Sequence, residues 1–274
     1  MHHVLQLLII LLLLSGCQQP KTQDLSAPSS LQLVWSDEFE EAGLPNPDSW
    51  AYDVGDACNL PAGCGWGNQE KQFYTASNLK NARIENGHLV IEVHKESKGS
   101  ADFTSARLKT KKKFELQYGR VEVRAKLPSG KGTWPAIWML SSNNTYGGWP
   151  RSGEIDIMEH VGHIPDSIYG TIHTEAYNHM LGTQKGSSIH ISDAETAFHK
   201  YAIDWNEQEI SFSVDDQIYY SFSKHKEEAS TWPFDQDFYL IINVAVGGSW
   251  GGAMGVDPTI WPQKMEIDYV RFYQ

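Results

Sequence analysis

Apolar residues recur at every second position through most of the chain, and helical spacing is nearly absent. Leu89, Ile91 and Val93 alternate directly after Asn86-Gly87, a dipeptide that favours the two-residue turn of a β-hairpin. Val121, Val123, Ala125 and Leu127 alternate with Arg120, Glu122, Arg124 and Lys126, so this segment reads as a strand with one wet face. Further strands are predicted over 201–205, over 209–214 closing on Asp215-Asp216, over 218–222 and over 265–273. Residues 238–246 are apolar enough to form a central strand. Many short strands punctuated by Gly, Pro and Asn predict an all-β fold of two packed antiparallel sheets, a sandwich or jelly roll.

One strand carries charge where the others carry core. Gly153-Glu154-Ile155-Asp156-Ile157-Met158-Glu159-His160 places three carboxylates within six residues. In an extended chain Glu154 and Asp156 share a face, whereas strict alternation would put Met158 beside them. A β-bulge at Ile157 and Met158 returns Glu159 to the acidic face. Three carboxylates in a row repel one another, so they need a proton, a metal or a substrate. Glycoside hydrolysis uses such a set: a retaining enzyme holds two carboxyls roughly 5 Å apart, one as nucleophile and one as general acid/base. The shorter Asp156 is expected to share a hydrogen bond with Glu154 and help set its charge. The other readings are a solvated acidic edge and a metal site. Glu159-His160-Val161-Gly162-His163 mimics half of a zinc pattern, but HExxH needs a helix, which Gly162 and the β-branched neighbours disfavour.

Val4 to Leu14 is an apolar run of signal-peptide length, and Leu14-Ser15-Gly16-Cys17 after it resembles a bacterial lipobox. That resemblance implies a signal peptide over 1–16, lipidation of Cys17 and a flexible tether over 17–30. A single folded domain over 31–274 would then be anchored in the bacterial cell envelope, at the outer membrane or cell surface, or else secreted. A monomer is expected. The net charge of −12, with only 22 Lys and Arg, lacks the basic footprint of a nucleic-acid partner and disfavours anionic polymers. Ten Trp, many in Gly-rich segments, suit the apolar faces of a neutral sugar polymer. Cys58 and Cys64 flank a tight loop where a disulfide is expected in an extracytoplasmic compartment. Gly247-Gly248-Ser249-Trp250-Gly251 matches GxSxG, but residues 252–258 cannot supply the helix that a nucleophile elbow requires.

Taken in order, Leu33 to Phe39, Gly65 to Thr75, Thr104 to Arg107, Tyr118 to Glu122, Trp134 to Leu140, Gly153 to Glu159, Gly247 to Gly252 and Ile267 to Tyr273 resemble glycoside hydrolase family 16. Within it they are similar to the bacterial laminarinase-type endo-1,3-β-glucanases. The resemblance implies a concanavalin A-like β-jelly roll whose concave sheet forms a glucan cleft. It implies Glu154 as nucleophile, Asp156 as its assistant and Glu159 as general acid/base. Trp134 and Trp138 would line the minus subsites, Asn68 and Arg107 would bind sugar hydroxyls, His173 would sit close to the acids and Trp250 would add a wall. A structural calcium would be held on the convex face by the Glu38 side chain, the Gly87 carbonyl and the Asp268 side chain. Other functions consistent with the resemblance are hydrolysis of mixed 1,3-1,4-β-glucan or of an agar- or carrageenan-type galactan, and glycan binding without catalysis.

Overall fold

In the computed structural model, which describes residues 31–60 and 63–274, the alternating segments become strands and no helix occurs among the described residues. The strands are β1 (Leu33–Asp37), β2 (Ala51–Asp53), β3 (Gln72–Tyr74), β4 (Ala82–Glu85), β5 (His88–Val93), β6 (Phe103–Ser105), β7 (Arg107–Lys109), β8 (Gly119–Lys126) and β9 (Thr133–Ser141). They continue with β10 (Glu154–Glu159), β11 (Ser167–His173), β12 (Lys185–His190), β13 (His199–Trp205), β14 (Glu209–Val214), β15 (Gln217–Ser223), β16 (Phe238–Val246) and β17 (Gln263–Tyr273). The signal peptide, the tether and Cys17 lie outside the described residues.

Two antiparallel sheets account for all but the parallel pair β3 and β6. The outer sheet runs β15-β14-β13-β8-β17-β5-β4, with β1 also on β17, and the inner sheet runs β12-β11-β10-β9-β16-β7-β2. The core lies between them. Val121, Val123, Ala125, Tyr201, Ile203 and Phe272 from the outer sheet share one cluster with Ile137, Met139, Ile155, Ile172, Leu240 and Ile242 from the inner sheet. Alternation therefore decides orientation: Arg120 and Glu122 face outward on β8, where Arg120 pairs with Asp204 at 2.7 Å. Asn86 and Gly87 form the expected hairpin turn between β4 and β5, both with positive φ (54° and 75°), as its mirror-image geometry requires.

β16 is the central strand of the inner sheet, and all nine of its residues are buried. Leu240, Ile242 and Val244 enter the core, so Ile241, Asn243 and Ala245 turn to the opposite face. The same parity exposes Arg107 on β7, Trp134 and Trp138 on β9, Glu154, Asp156 and Glu159 on β10, and Tyr169, Thr171 and His173 on β11. That face is where the candidate chemistry collects.

Candidate active site

The acidic strand keeps its three carboxylates together through a bulge. On β9, Asp156 lies opposite Trp138, Met158 opposite Ile137 and Glu159 opposite Ala136, so Ile157 is the extra residue. Ile157 and Met158 both enter the core cluster, and that double burial turns Glu159 back to the face of Glu154 and Asp156. Across β11 the three acids meet His173, Thr171 and Tyr169 respectively.

His173 Nε2 stands 3.7 Å from Glu154 Oε1 and 3.2 Å from Asp156 Oδ2. Asp156 Oδ2 has no hydrogen-bond partner, and neither has His173 Nδ1. Trp134 Nε1–H donates to Glu159 Oε1 at 3.0 Å. Burial pushes the Glu154 carboxyl up to about 8, helped by the negative charge of Asp156, while His173 and the Trp149 side chain oppose the rise. Burial also lifts Glu159 to about 8, with Asp156 adding to it and the Trp134 N–H opposing it. Asp156 is raised well above its ordinary value by burial.

After burial, the charge that raises Glu159 is that of Asp156, which sits between the two glutamates on the strand. Both glutamates are pushed to about the same value.

Aromatic and polar walls flank the row. Trp250 packs edge-on against Trp134, with ring centroids 5.7 Å apart, and against Tyr169 at 5.0 Å, enclosing the Glu159 end. At the Glu154 end Trp149 lies 6.2 Å from His173 and 5.1 Å from His179. On the far side of Trp138, the Arg107 guanidinium stands 4.7 Å over its ring and 4.9 Å over that of Trp66, held by Asp53 at 3.0 Å. Trp138 Nε1–H donates to Asn243 Oδ1 at 2.7 Å. Asn68 Nδ2 donates to Glu70 Oε1 at 3.2 Å, and Gln72 Nε2 to Glu70 Oε2 at 2.6 Å. Gly248, at φ +76°, lets its loop pass between Asn68 and Trp134, since a Cβ there would stand 3.0 Å from each.

The fold thus gathers Glu154, Asp156, Glu159, His173, Trp134, Trp138, Trp250, Arg107 and Asn68 around one face. Sequence reasoning missed Trp66, Glu70, Trp149, His179 and Asn243. Glu70 left a usable signal, since Asn68, Glu70, Gln72 and Tyr74 alternate as residues sharing one side of an extended segment do. Trp149 left none, because only the fold brings the loop between β9 and β10 to His173 at the end of β11.

Other candidates fall elsewhere. His160 is wholly buried, its Nδ1 against the Ser167 carbonyl at 3.0 Å and its Nε2 against Glu195 at 3.2 Å, which occupies it in the fold. Ser249 lies in a loop, its N–H donating to the Asn68 carbonyl at 2.7 Å. Cys58 and Cys64 are joined as a disulfide. The expected calcium donors meet where β1 ends and β5 begins beside β17: Asp37 pairs with Val270 and Leu89 with Ile267, leaving Asp268 at the junction. Glu38 is held by both Arg271 nitrogens at 2.9 and 2.8 Å, and Asp268 by Arg124 at 2.6 Å. Carboxylate and carbonyl oxygens are the hard donors that calcium takes, and each carboxylate here already has a cationic partner.

Comparison with known proteins agrees with this site. Residues 69–271 match the family described as Glycosyl hydrolases family 16. The chain is 52% identical over 272 residues to a β-glucanase of Rhodothermus marinus, covering 97% of this chain and 93% of that protein. The X-ray structure of the laminarinase from Rhodothermus marinus superposes with a TM-score of 0.85 at 53% identity, covering 89% of this chain and 97% of that one. A mutant of SCLam, a non-specific endo-β-1,3(4)-glucanase co-crystallised with 1,3-β-D-cellotriosyl-glucose, superposes with a TM-score of 0.85 at 48% identity, covering 91% and 96%. With the acidic row, the jelly roll and near full-length identity all in agreement, this chain belongs to the glycosyl hydrolases of family 16.

Proposed function

We propose that the protein is an endo-acting retaining glycosidase that cuts internal β-1,3-glucosidic bonds of laminarin-type glucans by double displacement. The observation that carries this reading is the bulged strand β10, which sets Glu154 and Glu159 on one face with Asp156 between them. Relatives named for β-glucan and laminarin hydrolysis supply the substrate class. A net charge of −12 also suits a neutral polymer rather than a sulfated one.

Glu154 attacks the anomeric carbon while protonated Glu159 gives its proton to the departing oxygen. The aglycone leaves, and Glu159, now a carboxylate, takes a proton from the incoming water, which breaks the glycosyl ester. Glu154 must be charged to attack, and His173 at 3.7 Å favours that charge. The Trp134 indole keeps the Glu159 carboxyl aimed and stabilises its anionic form after proton transfer. Asp156, between the glutamates and against His173, holds or releases a proton as theirs move.

The test uses an activated aryl β-glycoside with added azide. Glu159→Ala should still be glycosylated, because the leaving group needs no proton, and should yield a β-glycosyl azide, whereas Glu154→Ala should yield the α-product. Proton NMR of the first wild-type product should show the β-anomer; an α-anomer would defeat the nucleophile assignment. The second reading, tolerance of mixed 1,3-1,4 links, is favoured by the likeness to SCLam, and product analysis on lichenan decides it. We also propose a structural calcium on Glu38, Gly87 and Asp268, where it would tie β1 and the β4–β5 hairpin to β17; no step of the reaction uses it.

A further inference from the structure

A buried hydrogen-bonded chain runs beneath Trp138 toward a carboxylate that the mechanism above does not use. Trp138 Nε1–H donates to Asn243 Oδ1 at 2.7 Å, and the Asn243 amide donates to the Tyr74 hydroxyl oxygen at 3.1 Å. Burial pushes the nearby Glu70 carboxyl up, and the Tyr74 hydroxyl is among the groups that oppose the rise. The amides of Gln72 and Asn68 converge on the same carboxylate at 2.6 and 3.2 Å, and Arg107 adds charge attraction. Gln72 cannot turn over, because its Oε1 accepts the Val246 N–H at 2.8 Å. The indole N–H of Trp138 can only donate, which fixes the Asn243 amide, while Asn68 and Gln72 both donate to the one carboxylate of Glu70.

We propose that Glu70 is a positioning residue for substrate binding, its carboxylate setting the amide orientation of Asn68. The inference rests on the glucan-hydrolase reading above. Because Asn68 gives its N–H inward to Glu70, its carbonyl oxygen is the atom left to accept from a sugar hydroxyl. Glu70→Gln keeps the shape and replaces one acceptor oxygen with a donor. Since Gln72 is held by Val246, the new NH2 must face Asn68, whose amide turns over and presents a donor to the sugar instead. Asn68→Asp added to Glu70→Gln restores the match. The aspartate accepts inward from the new amide and offers its second oxygen outward, with the net charge of the pair unchanged.

The experiment measures kcat and KM on laminarin for these variants. It also measures the Kd of a laminarin oligosaccharide by calorimetry on the same variants in a Glu154→Gln background. Glu70→Gln should raise KM and Kd by up to about tenfold, the upper end for one neutral hydrogen bond, with kcat nearly unchanged. Asn68→Asp/Glu70→Gln should recover most of the affinity. An unchanged Kd for Glu70→Gln overturns the proposal, and so does a double variant as weak as the single one, which would make Glu70 a direct sugar ligand or a mere support of the fold. A wild-type protein that neither cuts nor binds laminarin defeats the glucan-hydrolase reading instead.

Discussion

Replacing Trp134 with Phe removes the indole N–H along with part of the ring and leaves a smaller aromatic ring against Trp250. The lost bond is the indole N–H donated at 3.0 Å to Glu159, whose carboxyl burial has already pushed up to about 8. A hydrogen bond to a charged group is worth about 1.5–3 kcal/mol. At about 1.4 kcal/mol per pH unit, its loss should raise the Glu159 carboxyl by about one to two pH units. The sign follows from the role of Glu159 as an acid that works only while protonated. Its deprotonation sets the alkaline limb of activity, and a carboxyl harder to ionise moves that limb to higher pH. The assay is kcat/KM on laminarin across pH, which reports the free enzyme. Three coupled carboxyls make the wild-type limb a property of the cluster, but the Trp134 N–H touches Glu159, so the change on substitution assigns the limb. A lost sugar contact would lower the profile at every pH without moving it. An alkaline limb that stays in place, or moves toward acid, would refute Glu159 as the proton donor.

Two further outcomes follow from the same structure. Glu154 is raised from 4.5 to about 8 in the fold, so the folded state binds more protons than the unfolded chain across that window and stability falls as pH rises through it. Glu154→Gln should therefore melt well above wild type at pH 8, by about 4 kcal/mol and hence roughly 10 °C, with the difference vanishing near pH 4 in calorimetric scans; equal melting temperatures at pH 8 would contradict the burial of this carboxyl. Calcium added to chelator-stripped protein should raise its melting temperature without changing kcat, by binding only the folded state, and Asp268→Asn should abolish that rise; an unchanged melting temperature would remove the proposed ion.

What could be read from residues alone, and what could not, divides by distance along the chain. Alternation is local, so β5, β8, β14 and β17 were legible, β16 was legible as a continuous apolar run, and the Asn86-Gly87 turn announced its hairpin through the positive φ it needs. The bulge in β10 was legible for the same reason: two adjacent apolar residues, Ile157 and Met158, break a strict alternation that resumes at Glu159. The three acids and their shared face were thus a property of the sequence by itself. Strand order was not, because hydrogen bonds between strands join backbone groups common to all residues and leave no mark on side-chain type. Only the tertiary structure placed β16 beside β9 and β7 beside β16, bringing Asn243 under Trp138 and Arg107 over its ring. It alone set Asp156 rather than Glu154 as the leading charge on Glu159, since a shift depends on distances and solvent exclusion that spacing does not contain. The convergence of Asn68 and Gln72 on Glu70 divides the same way: Glu70 and Gln72 have the spacing of residues on one face of a strand, while the hold of Val246 on Gln72 required a partner from another strand.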